Sequence, residues 1–240
     1  NWTKFVDWYR GIPRRITLAE GTSGSAGVTA EGWISAARDE LGYVSRYEHD
    51  EMGRIRRITP ASSGPARNAT VRSFSLVSAS ASGLDAAYWT QTDTLGNWKR
   101  SVWYDALLRP MGEKEQDSSI AGSARVQRRE FDSAGNVVFE SFPATTLTSM
   151  GTRSSFDGIG RVEQSEQDSE LGALITRYQY LPGAKLRVTD PRGNATTTTY
   201  RFLDTPAYDQ PILVERPEGA RTRIVRDVLG QPRRIERENY

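Results

Sequence analysis

Seven times in this 240-residue chain an aspartate is followed three residues later by a glycine, each time between stretches that read as β-strand. No other feature limits the fold as strongly. The copies are Asp39 with Gly42, Asp50 with Gly53, Asp93 with Gly96, Asp132 with Gly135, Asp157 with Gly160, Asp190 with Gly193, and Asp227 with Gly230. An eighth site, Tyr104-Asp105-Ala106-Leu107-Leu108-Arg109, keeps the frame with leucine in the glycine position. Aspartate at the first position of a type I turn accepts hydrogen bonds from backbone amides further along. Glycine at the fourth position takes positive φ at little steric cost, giving the turn-plus-bulge connection of an antiparallel hairpin. A large residue precedes several of the aspartates (His49, Tyr104, Phe131, Phe156), and Arg, Asn or Gln follows most of the glycines (Arg54, Asn97, Asn136, Arg161, Asn194, Gln231). A single such tetrapeptide means nothing. Seven in register predict hairpin corners at all seven pairs, with the preceding aromatics packed beneath them.

The rest of the chain agrees with an all-β reading. No segment keeps a 3.6-residue apolar period for three turns, while short β-branched and aromatic runs bounded by Gly, Asp, Pro and Ser occur throughout. The plainest predicted strand is 195–202, after the Asp190 turn, and others follow at 137–142, 54–59, 162–166 and 174–180. Shorter turns of another type are expected at Glu20-Gly21, Glu31-Gly32 and Glu218-Gly219. Successive corner glycines lie 11, 43, 39, 25, 33 and 37 residues apart, so the units are not identical tandem copies. Residues 61–90 form the least regular stretch, with Ser, Ala and Gly tracts at 61–65 and 78–83, and 143–151 reads as a loop with room for one helical turn. The whole of 1–240 is expected to be one hairpin-repeat β-sheet region.

Composition narrows the function classes. At 37% hydrophobic the core is expected to be thin. Cysteine is absent, which excludes disulfides and thiolate chemistry, and no run approaches 18 apolar residues, so no membrane-spanning helix is expected. Strand-like sequence at both ends predicts an internal fragment of a longer protein. The bases are mostly arginine, the lysines being Lys4, Lys99, Lys114 and Lys185. Arginine suits a sheet surface because its stem covers apolar neighbours and its plane stacks on rings.

Candidate chemistry is sparse. His49 is the only histidine, which removes multi-histidine zinc sites, and it occupies the place that Phe or Tyr fills in sister repeats, so a packing role is expected. The turn aspartates do not follow a calcium-loop pattern, and each has a local backbone task, so neither a metal nor a cofactor is expected. Basic clusters at Arg54, Arg56, Arg57, at Arg125, Arg128, Arg129, and at Arg221, Arg223, Arg226 have acidic neighbours, which favours a solvated face over nucleic-acid binding. The tryptophans at 2, 8, 33, 89, 98 and 103 admit a sugar-stacking platform, though packing against a sheet face is the simpler role. No pair of carboxylates stands out from the turn aspartates, so the chain is not expected to be an enzyme.

Segments such as His49-Asp50-Glu51-Met52-Gly53-Arg54, Phe131-Asp132-Ser133-Ala134-Gly135-Asn136 and Phe156-Asp157-Gly158-Ile159-Gly160-Arg161 closely resemble the YD repeat of the RHS family. The resemblance runs from about Asp39 to Gln231, with Trp8-Tyr9-Arg10-Gly11-Ile12-Pro13 upstream also similar. It implies antiparallel hairpin repeats forming a large curved sheet, a segment of an RHS-type spiral β shell, as in bacterial polymorphic toxins, B and C components of insecticidal toxin complexes, and teneurins. In that family the shell encloses a toxic C-terminal domain. The implied partners are therefore the rest of the parent RHS chain and its encapsulated toxin domain, with a secretion-system component and a surface glycan as further expectations. The implied location is secreted or cell-surface. RHS cores end in a self-cleaving Asp-Pro-x-Gly segment followed by an apolar residue. Asp190-Pro191-Arg192-Gly193 matches the first four positions, but Asn194 follows in an ordinary repeat context, so cleavage is not assigned there.

Overall fold

The computed structural model describes residues 2–62, 67–77, 84 and 87–238. Among them are twenty β-strands and a single 3-10 turn at Pro217–Gly219. The chain divides into two compact units, one of Asn1–Gln127 with Pro143–Leu147 and the other of Arg128–Phe142 with Thr148–Tyr240.

In the first unit the strands are β1 (Thr3–Tyr9), β2 (Ile12–Leu18), β3 (Ser23–Val28), β4 (Ile34–Arg38), β5 (Val44–His49), β6 (Ile55–Thr59), β7 (Thr70–Leu76), β8 (Trp89–Leu95), β9 (Trp98–Tyr104) and β10 (Pro110–Asp117). Each pairs antiparallel with its neighbour in sequence. The second unit repeats the scheme with β11 (Arg125–Phe131), which begins within the first unit and enters the second at Arg128, β12 (Val137–Ser141), β13 (Gly151–Phe156), β14 (Val162–Ser169), β15 (Gly172–Leu181), β16 (Lys185–Thr189), β17 (Ala195–Phe202), β18 (Pro206–Glu215), β19 (Arg221–Arg226) and β20 (Pro232–Glu238). Such meanders need only short connections, which the glycine-bearing corners supply.

Little of either unit is buried. Among the described residues the buried apolar ones are Leu84, Ala87, Val102 and Val126 in the first unit and Phe139 and Ala184 in the second. Strand alternation is visible instead as partly covered against exposed, as in β3, where Gly24, Ala26 and Val28 are half-buried and Ser23, Ser25 and Gly27 are open. Phe139 is 4% exposed because the guanidiniums of Arg128 and Arg153 lie 4.9 and 5.1 Å from its ring centre. Arginine here does the covering that a second apolar layer does in a two-layer domain.

Several expectations need correction. Asp93 is not at a corner. It lies inside β8, opposite Arg72 on β7 and Arg100 on β9, and is 6% exposed. Its partner Gly96 belongs to a two-residue hairpin loop between Leu95 and Trp98, at the first central position, where φ is +59°. The spacing matched while the register did not. The turns at Gly21 and Gly32 are not of another type, whereas the one at Gly219 is, because Glu218 before it already has φ +68°. All three glycine amides donate to the carbonyl three residues back, of Leu18, Thr29 and Arg216, closing the same backbone ring as the aspartate corners with another residue in first place. Residues 142–150 contain a bridge at Ala144 and no helical turn, and Gly151 already belongs to β13. Within the irregular stretch, β7 is a regular strand, while the tracts at 63–66, 78–83 and 85–86 lie outside the described residues.

Candidate functional site

The repeated element is the corner, and six of the seven aspartate–glycine pairs build it. At Asp39, Asp50, Asp132, Asp157, Asp190 and Asp227 the glycine amide donates to the aspartate carbonyl at 3.0–3.1 Å. The aspartate amide donates back to the carbonyl after the glycine at 2.8–3.0 Å. Their glycines have φ between +79° and +93°. Asp105 forms the same ring without glycine, with Leu108 held at φ +60°, a conformation that costs a leucine energy. The aspartate frame is therefore sufficient to hold the turn.

All of these aspartates but Asp39, which uses Oδ1 alone, work with both carboxylate oxygens. Oδ1 accepts the amide four residues on, at 2.8–3.0 Å, in all six corners and at Asp105. In most it also accepts the amide two residues on. Oδ2 takes the side chain of the residue after the glycine. Arg54, Arg109 and Arg161 each donate Nε at 2.7 Å, and Asn136 and Asn194 donate Nδ2 at 2.9 and 3.0 Å. At Asp227, where that residue is Gln231, Arg233 Nε donates to Oδ2 instead at 3.0 Å. The recurrent Arg or Asn was visible in the sequence, and its task as a side-chain clamp was the part that composition and spacing did not reveal.

These donors set the charge state. The Arg161 amide and guanidinium hold the Asp157 carboxyl below its usual value against the opposing effect of desolvation. The Asn136 and Asn194 side chains lead the same effect at Asp132 and Asp190. At Asp50 and Asp105 desolvation is the largest influence and pushes upward, yet the Arg54 and Arg109 donors outweigh it and both carboxyls are lowered.

Rings meet the clamps from neighbouring hairpins. The Arg54 guanidinium lies 4.3 Å from the Phe74 ring centre, and that of Arg161 lies 4.0 Å from the Tyr180 centre. Tyr208 extends the second cluster, edge-on to Tyr180 and Tyr200 at 5.8 and 5.1 Å. His49 stacks on Trp33 at 5.4 Å, and the two share an apolar hollow with Ile34, Ala37, Tyr47 and Ile55.

The residue that breaks the corner pattern anchors a charged ladder. Asp93 accepts Arg72 Nε and Nη2 at 2.6 and 3.1 Å and Gln91 Nε2 at 3.0 Å. On the far side of Asp93, Arg100 turns its fork to Glu113 at 2.6 and 3.0 Å. Charges thus alternate from β7 to β10 in the order plus, minus, plus, minus. Among the described residues no group of three or more His, Asp or Glu side chains is arranged to hold a metal ion, and no helix is long and apolar enough to cross a membrane.

No protein-family model matches the chain, and no curated protein matches it in sequence. Solved structures do match in fold. The crystal structure of TcdB2-TccC3 without the hypervariable C-terminal region superposes with a TM-score of 0.65 at 12% identity, covering 95% of this chain and 12% of that one. The crystal structure of TcdB2-TccC3-Cdc42 gives 0.53 at 11% identity, over 92% of this chain and 13% of that one. This chain spans about an eighth of the length of the chains it matches. The likeness shows the fold, an all-β antiparallel hairpin-repeat sheet.

Proposed function

We propose that this chain is a stretch of wall in an RHS-type β shell, which encloses a toxin domain of its parent polypeptide and helps deliver it. The observation that carries this reading is the corner itself, repeated along a sheet with few buried side chains, in a chain that overlays a TcdB2-TccC3 structure along 95% of its length. A wall has to turn strands repeatedly and stay stable while both faces are in use, and the doubly engaged aspartates do this without a thick core. The segment carries out no reaction in this reading. Its partners are the flanking parts of the parent chain and the enclosed domain, and its setting is secreted or cell-surface.

The test is protease protection in the complete parent polypeptide. An enclosed C-terminal domain resists digestion until corners such as Asp157 and Gly160 are disrupted. A domain digested equally fast in the intact parent and in the variants contradicts the wall.

A second reading, a module that binds a surface glycan, draws on the hollow of Trp33, Tyr47 and His49. Glycan-array binding abolished by Trp33→Ala supports it, and an array without signal removes it.

A further inference from the structure

One face of the first unit, on β2–β6, is cationic. Arg15 pairs with Ser25, Ser25 with Arg38, and Arg38 with Val44, which makes one cross-strand row from β2 to β5. Gly27, Ala36, Arg46 and Thr59 make the next row from β3 to β6, and Glu48 with Arg57 extends it. Residues paired across strands stand on the same face, as do residues two apart along a strand. Arg15, Arg38, Arg46 and Arg57 therefore share one face, and all four are exposed. Glu48 is the single carboxylate among the positions of this face on β2–β6, and it lies 3.8 Å from Arg57. Arg38 donates Nε to the Gly42 carbonyl at 3.2 Å. The side chains of Arg15 and Arg46 make no hydrogen bond or ion pair among the described residues.

In the second unit the rows of β18–β20 are neutralised, while Arg177, Lys185 and Arg187 on β15 and β16 face Thr, Gln and Leu. Arg221 lies between Glu215 and Glu238, and Arg223 opposes Glu236, with Arg221 Nε 3.2 Å from Glu215. Like charges gathered on a face with one carboxylate among them repel, and an anionic partner relieves that repulsion. The floor between the arginines is made of small residues, Ser25, Gly27 and Ala36, so an extended backbone can approach closely. No aromatic ring stands on this face of β2–β6, whereas stacking of nucleic-acid bases needs such rings. Guanidinium forks match carboxylates two bonds at a time.

We propose that this face of β2–β6 docks an acidic polypeptide segment, with Arg15, Arg38 and Arg46 supplying its carboxylate contacts. The proposal rests on the wall reading only in taking a polypeptide as the occupant.

The experiment uses the whole 240-residue chain and fluorescein-labelled poly-L-glutamate, followed by fluorescence anisotropy. Saturable binding is expected, weakening as salt rises from about 50 to 200 mM. Arg15→Glu with Arg46→Glu is expected to weaken it by about ten-fold or more at an unchanged melting temperature. Arg221→Glu with Arg223→Glu, in the balanced rows of β18–β20, is expected to change it by less than about two-fold. If the first charge reversal unfolds the chain, Arg15→Gln with Arg46→Gln supplies the same readout. Absence of poly-glutamate binding overturns the proposal, as does equal loss in both double variants. Tighter binding of heparin or oligothymidylate, lost in the Arg15 and Arg46 variants, also overturns it and assigns the face to a glycan or nucleic acid. Each of these failures leaves protease protection of the parent untouched, so the two ideas fail separately.

Discussion

The two units turn their strands with the same corner and fill their faces with different chemistry. The first contains Asp50 clamped by Arg54, and the second Asp157 clamped by Arg161, with the same Nε to Oδ2 distance of 2.7 Å. Beyond the corners they diverge. The first unit carries the ladder built on buried Asp93 and an open arginine face, whereas the second sets Glu215, Arg221 and Glu238 side by side in mutual neutralisation. The difference teaches that corner and face are separate variables in this fold. Four to five residues fix how the chain reverses, and the strand residues between corners are free to specialise.

The largest expected effect separates two corners that look alike. A side chain at Gly53 meets left-handed φ of +79° and the Trp33 ring at 2.9 Å, while one at Gly160 meets φ of +81° and nothing nearer than Asn136 at 3.6 Å. Gly160→Val is expected to cost about 1 to 3 kcal/mol from backbone strain, and Gly53→Val about 1 to 2 kcal/mol more from the displaced ring. Equal losses in denaturant titration would remove Trp33 from the first corner. Next in size is the ladder. Arg72→Met leaves the buried carboxylate of Asp93 without its ion-pair partner and with only Gln91 donating to it, and is expected to cost about 2 kcal/mol or more, while Arg221→Met in the exposed second-unit row changes stability by less than about 1 kcal/mol. Comparable losses would mean that the ladders do not differ.

A gain is expected at the eighth corner. Leu108→Gly releases a leucine from φ +60° and should raise stability by up to about 1 kcal/mol, the opposite sign to Gly160→Val. A loss there would show that the leucine side chain is needed for packing. The smallest effect is in acid. The Asp50, Asp105, Asp132, Asp157 and Asp190 carboxyls are lowered by folding, so their contribution is complete above the unfolded value near 3.8 and disappears as pH falls through the folded values. Asp157→Asn is expected to flatten the melting temperature against pH below about 4. An unaltered profile would contradict the carboxylate's part in the corner.

Much of this was legible in the chain because the corner is local. Its aspartate, glycine and clamp fall within five residues, so their recurrence announces the hairpins and the all-β fold before any contact is known. Asp93 shows where local reading ends. Its tetrapeptide spacing matches, yet its neighbours Thr92 and Thr94 continue the alternation of β8, and partners 21 residues away on β7 decide its place. The turns at Leu18, Thr29 and Arg216 fail in the opposite sense, since the backbone ring forms there without the aspartate. The arginine face was hidden for a third reason. Arg15, Arg38, Arg46 and Arg57 are scattered in sequence and become one surface only once register is fixed, because a one-residue slip sends each side chain to the other face.

The most direct measurement is cryo-electron microscopy of the complete parent polypeptide, with particles averaged without imposed symmetry. The wall account predicts a closed shell of strands in which this segment lines the side and separate density fills the interior. An open or solid sheet with no enclosed density would contradict it.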